Sequence, residues 1–288
     1  MVKPFLSLDQ QVQKLRDNGL SLTDAEAVDA RRFLQDHNYY RVSGSFRYFQ
    51  ADPVNQQNRF TAEASFAKIR QAHDFDRHLA VRLQAGLAEF EIVFRSQLAY
   101  LVAKSTGPDS YLYETTYDGG DSTKKALIKS INDELERSTE RFVQHHRRLG
   151  QPVPIWAAVE VFSLGTSSKL YGLIADAEGV FKPLAERFGI SHRASRKIFR
   201  SMSVLRNVCA HHGRIWNRNH GIDVEAPPQV RSGSDKAIFT NTPWAWVLTV
   251  GYLTDQVRGD ASYSESLWDF IDAQPDWLCE GLTYPSPK

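Results

Sequence analysis

An arginine, an asparagine and a histidine lie close together in the run Arg206-Asn207-Val208-Cys209-Ala210-His211-His212-Gly213-Arg214. Those three side-chain types are enough to cut RNA without a metal ion. Histidine moves a proton near neutral pH. Arginine presents a planar fork of donors that matches a phosphate. Asparagine can hold a ribose or a phosphate by hydrogen bonds. At about 3.6 residues per turn, Asn207 and His211 stand one turn apart on the same helix face, with Arg206 on its flank.

Extending that face gives Arg193, Arg196, Arg200, Ser203, Asn207, His211, Arg214 and Arg218. Their spacings of three or four make one polar stripe, provided the helix continues past Gly213. Lys197 adjoins it. Ile198, Met202, Leu205, Cys209 and Trp216 fall opposite and are expected to pack inward. No acidic residue occurs between Glu186 and Asp223. A positive stripe with no local neutralisation suits a polyanion. The competing reading is an ordinary solvated helix, since an Arg…His pair alone is an unspecific pattern.

The remaining composition narrows the classes. With 288 residues and 42% hydrophobic content, the chain can build a substantial core in one large or two modest domains. Its net charge is +1, so affinity for RNA has to come from local clustering. Two cysteines, Cys209 and Cys279, make neither a disulfide framework nor a closed zinc site. A reduced, cytoplasmic setting is the simplest expectation. Met1-Val2-Lys3-Pro4-Phe5 lacks the apolar core of a signal peptide, and no apolar run is long enough to span a bilayer. There is no glycine-rich phosphate loop, and no cofactor is expected.

The elements that must position these residues read as helices. One is expected from Ser7 to Arg16. A second follows the capping box Thr23-Asp24-Ala25-Glu26 and ends near His37-Asn38. The aromatic, basic segment from Tyr39 to Phe49 comes next, then a loop from Asp52 to Arg59. Apolar residues from Phe66 to Phe94 recur at helical spacing, which predicts one long helix over 63–104, with Gly86 marking a bend. Ser105 to Asp121 reads as a connection and Lys124 to Arg148 as one charged helix. Pro154 starts an apolar segment ending at Gly165. The basic helix starts at Ser191. Asn219 to Asn241 is a long loop, and two last helices cover 244–257 and 264–271. Strand signals are few, so the class is all-α.

Other clusters carry less chemistry. In His73-Asp74-Phe75-Asp76-Arg77-His78, residues 74 and 78 share a face but 73 and 76 point elsewhere, so capping or salt bridging is expected in place of metal binding. Cys209 falls on the apolar face and reads as a small hydrophobe. Tyr39, Tyr40, Arg41 and Arg47 could stack on unpaired bases and pair with phosphates. Phe46 and Phe49 read as core.

Several segments together resemble the bacterial abortive-infection proteins of the AbiD/AbiF type. They are Lys3-Pro4, Asn38-Tyr39-Tyr40-Arg41-Val42-Ser43-Gly44, Phe75-Asp76-Arg77-His78-Leu79, Glu91…Arg95, Pro154-Ile155-Trp156…Glu160, Phe162-Ser163-Leu164-Gly165 and Leu205 through Arg218. The resemblance implies a HEPN-type helical bundle with extra helices at both ends. Its hallmark, Arg, four to six residues, then His, is met by Arg206 and His211, with Asn207 as the polar residue after the arginine. It divides the chain into an N-terminal helical, aromatic and basic segment (1–60), a HEPN-like core (61–218), and a loop with C-terminal helices packing on that core (219–288). It further implies a metal-independent endoribonuclease of anti-phage defence, working as a homodimer with a composite site. A small structured non-coding RNA is the implied partner that restrains it. Arg206, His211 and Asn207 would then be catalytic. Arg193, Arg196, Lys197, Arg200, Arg214, Arg218, Tyr39, Tyr40, Arg41 and Arg47 would bind RNA. Two alternatives stay open: a non-catalytic protein that grips RNA with the same motif, and a helical protein-interaction module, which the acid-free interval disfavours.

Overall fold

The computed structural model describes residues 4–55, 57–219, 221 and 224–286. Lys3 of the N-terminal motif and Asp223, which closes the acid-free interval, lie outside them. Of the described residues 68% are helical, counting all helix types, and the all-α expectation holds.

Helix α1 (Leu8–Asp17) and α2 (Asp24–His37) each open on a complete capping box, Ser7 with Gln10 and Thr23 with Glu26. Asn38, in the left-handed region, turns the chain into the short α3 (Tyr39–Ser43). The segment expected as loop pairs instead: β1 (Gln50–Asp52) and β2 (Gln57–Phe60) form a small antiparallel hairpin. Its strands are too short to show an alternating pattern.

Helix α4 (Phe66–Thr106) is the long central helix, capped by the Ser65 hydroxyl. Leu79, Leu83, Leu87, Phe90, Phe94 and Leu98 run along its buried face. Gly86 does not interrupt it. A methyl group at that position would run into the Tyr263 ring, so the glycine serves close packing and not a bend. The charged stretch expected as one helix is two, α5 (Asp121–Arg137) and α6 (Arg141–Arg148). Ser138 is extended there, and its carbonyl and hydroxyl accept from Gln144 and from the Glu140 N–H, a local alternative to the helical ladder. Pro154 caps the brief α7 (Ile155–Ala158). Ser163 then caps a new helix, α8 (Leu164–Leu173), so Gly165 lies inside a helix and does not end one.

The short α9 (Lys182–Arg187) leads to the basic helix α10 (His192–Ala210), capped by Ser191 as its sequence indicates. After a long irregular stretch come α11 (Pro243–Arg258), α12 (Ser262–Asp272) and α13 (Asp276–Thr283). The last escapes the sequence pattern, because eight residues after a proline carry little periodicity. Among the described residues the buried apolar side chains form one cluster from Val12 to Leu282. α11 packs along α4, and α10 lies against both α4 and α8. No described helix is long and apolar enough to cross a membrane.

Candidate active site

The motif sits where α10 stops. The Gly213 N–H returns to the Val208 carbonyl at 2.7 Å, and the His212 N–H reaches the Cys209 carbonyl at 3.1 Å. That paired pattern closes a helix C-terminus around a left-handed residue, usually glycine. Here the left-handed residue is His212, at φ 55°. Three further contacts hold the turn. Arg41 donates to the His212 carbonyl at 2.6 Å. Asp76 Oδ1 accepts the backbone N–H groups of both Ile215 (2.9 Å) and Trp216 (2.7 Å). Arg214 donates to the carbonyls of Trp216 and Asn217. Gly44 lies against the Arg214 side chain, leaving it room.

The helix therefore does not continue past Gly213, and the long polar stripe is shortened. Arg214 is not a surface RNA contact: it is half-buried, and burial pushes its guanidinium down to about 10. Arg218 is exposed but sits in the loop, donating to the Arg214 carbonyl. Ser203 is buried, its hydroxyl turned back on the Arg200 carbonyl. Trp216 is inward-facing, but through the loop, with its indole N–H on the Leu278 carbonyl.

Of the three catalytic candidates, Arg206 is the most constrained. Its Nε donates to Glu91 Oε2 on α4 at 3.2 Å. Nη1 approaches Asn207 Oδ1 at 3.4 Å, and Nη2 has no partner among the described residues. Glu91 is nearly buried and also holds Arg95, which in turn donates to the Phe162 carbonyl. Sequence reasoning misses Glu91 as a site residue. Its signal is a carboxylate on the apolar stripe between Leu87 and Phe94, a place where charge survives only if paired. Arg206 and Arg95 end in an open groove of about 790 Å³, walled by Glu134, Arg137, Glu160 and Ser163.

Asn207 and His211 are exposed on the same end of α10. The His211 N–H completes the last helical bond to the Asn207 carbonyl at 2.9 Å. Its imidazole makes no hydrogen bond to a described residue and is open to an incoming group. On the other flank of the helix end, Asp76, Arg41, His212 and Cys209 line a second cavity of about 430 Å³. Asp76 is partly buried, and that burial lifts its carboxyl to about 6 against the pull of its two backbone donors. Burial pushes the Cys209 thiol up to about 12, in keeping with a packing residue and not a nucleophile.

The other basic and aromatic candidates divide. Arg193 and Arg200 are exposed on α10; Lys197 is exposed beside them; Arg196 is exposed but its guanidinium lies 4.1 Å from the Phe181 ring centroid. Tyr40 is largely exposed, whereas Tyr39 is half-buried against Phe46. Tyr39, Tyr40 and Arg47 face a cavity at α1 and α2, away from the Arg206 groove. Of those four side chains, Arg41 is the one that donates to the motif's backbone. Phe46 and Phe49 are core, as expected. Asp76 of the 73–78 cluster ties backbone, and among the described residues no three His, Cys, Asp or Glu side chains gather in a metal-ligand arrangement.

Most of the segments that carry the family resemblance thus gather at the two cavities flanking the end of α10. Comparison with known families agrees: the family model described as Abi-like protein matches residues 32–217. No curated protein and no solved structure matches this chain.

Proposed function

This chain belongs to the Abi-like protein family, and we propose that it is an RNA-binding HEPN protein of abortive-infection defence that cuts RNA by general acid–base chemistry. The observation that carries the reading is the pairing of a braced Arg206, one Nη group unengaged, with an open His211 at the end of the same helix. The ribose 2′-hydroxyl attacks the adjacent phosphorus, forming the P–O2′ bond as the P–O5′ bond breaks. His211 takes the 2′ proton, or returns one to the 5′ oxygen. Arg206 meets the charge that develops on the phosphoryl oxygens, and Asn207 orients the substrate. The products are a 2′,3′-cyclic phosphate and a 5′-hydroxyl. Glu91 is committed to two arginines, so it acts as a brace and not as a proton carrier.

One histidine does not fill both proton roles, so the reading includes a symmetric dimer. Support comes from α4. Val81, Ala85, Ala88 and Ile92 form an exposed, uncharged stripe beside the end of α10. Two copies meeting there would bring their His211 residues together. A small structured RNA that restrains the cytoplasmic protein completes the proposal. Gripping RNA without cleavage is the second reading, favoured by one fact: the His211 ring has no partner among the described residues to orient it.

The ends of RNA incubated with the protein decide between them. Cyclic phosphate ends produced in EDTA, and absent with His211→Ala, carry the first reading. Metal-dependent cutting that leaves 3′-hydroxyls would overturn it. Light scattering on Ile92→Asp tests the stripe, with a monomer the expected result.

A further inference from the structure

Between α1, α2, α3 and the hairpin lies a cavity of about 1000 Å³ that the cleavage chemistry does not use. Its walls combine three kinds of group. Lys14 and Arg47 bring positive charge, and no described Asp or Glu lines the space. Tyr39 and Tyr40 bring aromatic rings. Gln35 and Asn58 are exposed there, and their side-chain amides make no hydrogen bond to a described residue. Tyr40 is 69% exposed, the least core-like of the aromatic residues in its segment. Asn38 Oδ1 accepts the Tyr40 backbone N–H at 2.9 Å, which fixes the point from which the ring projects. Tyr39 stands edge-on to it, with the ring centroids 6.3 Å apart, and Lys14 Nζ lies 5.3 Å from the Tyr39 centroid. Charge and aromatic surface are therefore adjacent.

These groups describe the ligand. Two cations in a cavity with no lining carboxylate call for an anion. An exposed ring beside them suits a flat base, since every base has a face to stack. Tyrosine, with few rotatable bonds, provides that face at low entropic cost. Amide side chains carry both donors and acceptors for base edges. A paired base hides its edge and its face, so the fitting strand is an unpaired one. The volume stands at the top of the roughly 300–1,000 Å³ range of small-molecule pockets, which suits a short stretch of strand better than one small molecule.

Resting on the RNA reading above, we propose that this cavity is a second RNA site, separate from the Arg206 groove, in which unpaired nucleotides stack on Tyr40, with phosphates on Lys14 and Arg47 and base edges on Gln35 and Asn58. The short α3 joins it to the cleavage end. Arg41, on that same helix, donates to the His212 carbonyl at 2.6 Å. An RNA held in the cavity is thus anchored beside the helix that braces the turn after His211, without entering the groove where strands are cut.

Fluorescence anisotropy of the full chain tests this, with a short single strand of 2′-O-methyl RNA, which has no 2′-hydroxyl to attack with, and with its duplex. Tyr40→Ala should weaken single-strand binding about tenfold or more, and Tyr40→Phe, which keeps the ring, should stay within about twofold. Lys14→Ala should lower the salt slope by roughly 0.7, the value for one single-strand phosphate. Tyr40 and Lys14 are both exposed, so the variants should melt as the unaltered protein does. Ultraviolet crosslinking of the single strand to the unaltered chain, mapped by mass spectrometry, needs no variant: adducts at Tyr39, Tyr40 or Lys14 support the site. Adducts confined to α10 and the Arg206 groove, single-strand binding that Tyr40→Ala leaves unchanged, or an equal loss for the duplex overturns this site and leaves the RNA reading standing. No binding of either probe by the unaltered chain overturns both. Tyr40-dependent binding by a protein that never cuts RNA removes the ribonuclease reading and supports this site.

Discussion

Arg206 Nε stands 3.2 Å from Glu91 Oε2, a bond between helices α10 and α4 in a place where the carboxylate is almost fully enclosed. The same carboxylate holds Arg95. One buried negative charge therefore fixes two arginines at the mouth of one groove, and it aims the free end of Arg206 outward.

Glu91→Ala should remove that brace and leave two partly buried guanidinium groups uncompensated. A loss of roughly 3 kcal/mol is expected, from the usual cost of breaking an enclosed pair. Glu91→Gln keeps the shape and should cost less, while still loosening Arg206. Urea denaturation gives both numbers. Equal stability of Glu91→Ala and the unaltered protein would show that the pair does not brace the helices.

His211→Ala and Arg206→Ala should separate by stability. The His211 ring has no described partner, so its removal should leave the melting curve within roughly 0.5 kcal/mol of the original. Arg206→Ala breaks the Glu91 bond and should destabilise by about 1–2 kcal/mol. Both should abolish cleavage. Full activity in either, measured on a labelled RNA, counts against the site.

His212 occupies a left-handed position that costs a non-glycine residue roughly 1 kcal/mol. His212→Gly should therefore stabilise the fold by about that amount. A lower melting temperature would mean that the imidazole itself holds the turn.

Asp76 links stability to pH. Its carboxyl is lifted by burial from an ordinary 3.8 to about 6, so the folded state binds its proton more tightly than the unfolded state. The stability that Asp76 contributes is present in full below pH 3.8 and is lost as pH rises to about 6, by roughly 3 kcal/mol. Asp76→Asn keeps an oxygen for the Ile215 and Trp216 N–H groups without the charge. Denaturation at about pH 4.5 and pH 7, which take in most of the change between 3.8 and about 6, should show a smaller loss across this interval in the variant; parallel curves would refute the linkage.

Arg193, Arg196 and Arg200 form the part of the basic face that remains helical and exposed. Changing all three to alanine should weaken RNA binding across sequences and lower the salt slope by roughly one for each phosphate that these side chains neutralise. Binding that keeps its original salt dependence would take these residues out of the interface.

The periodicity and capping residues of the chain determined most of the helices by themselves. Ser7, Thr23 and Ser191 cap where their hydroxyls and the following apolar spacing require, because both signals are local. The placement of Arg206, Asn207 and His211 near one helix end was equally legible, since it depends only on spacing. The tertiary structure decided what neighbours do to that spacing. The stripe through Arg214 and Arg218 fails because Asp76, 139 residues from Ile215 in sequence, captures the Ile215 and Trp216 N–H groups and turns the chain inward. Glu91 becomes part of the site only because α4 and α10 pack side by side. Tyr39 and Tyr40, next to Arg41 in sequence, face a different cavity from the Arg206 groove. A helical pattern records which face is apolar, but the partner of a buried charge is chosen by whatever helix lands against it, and that contact has no local signature.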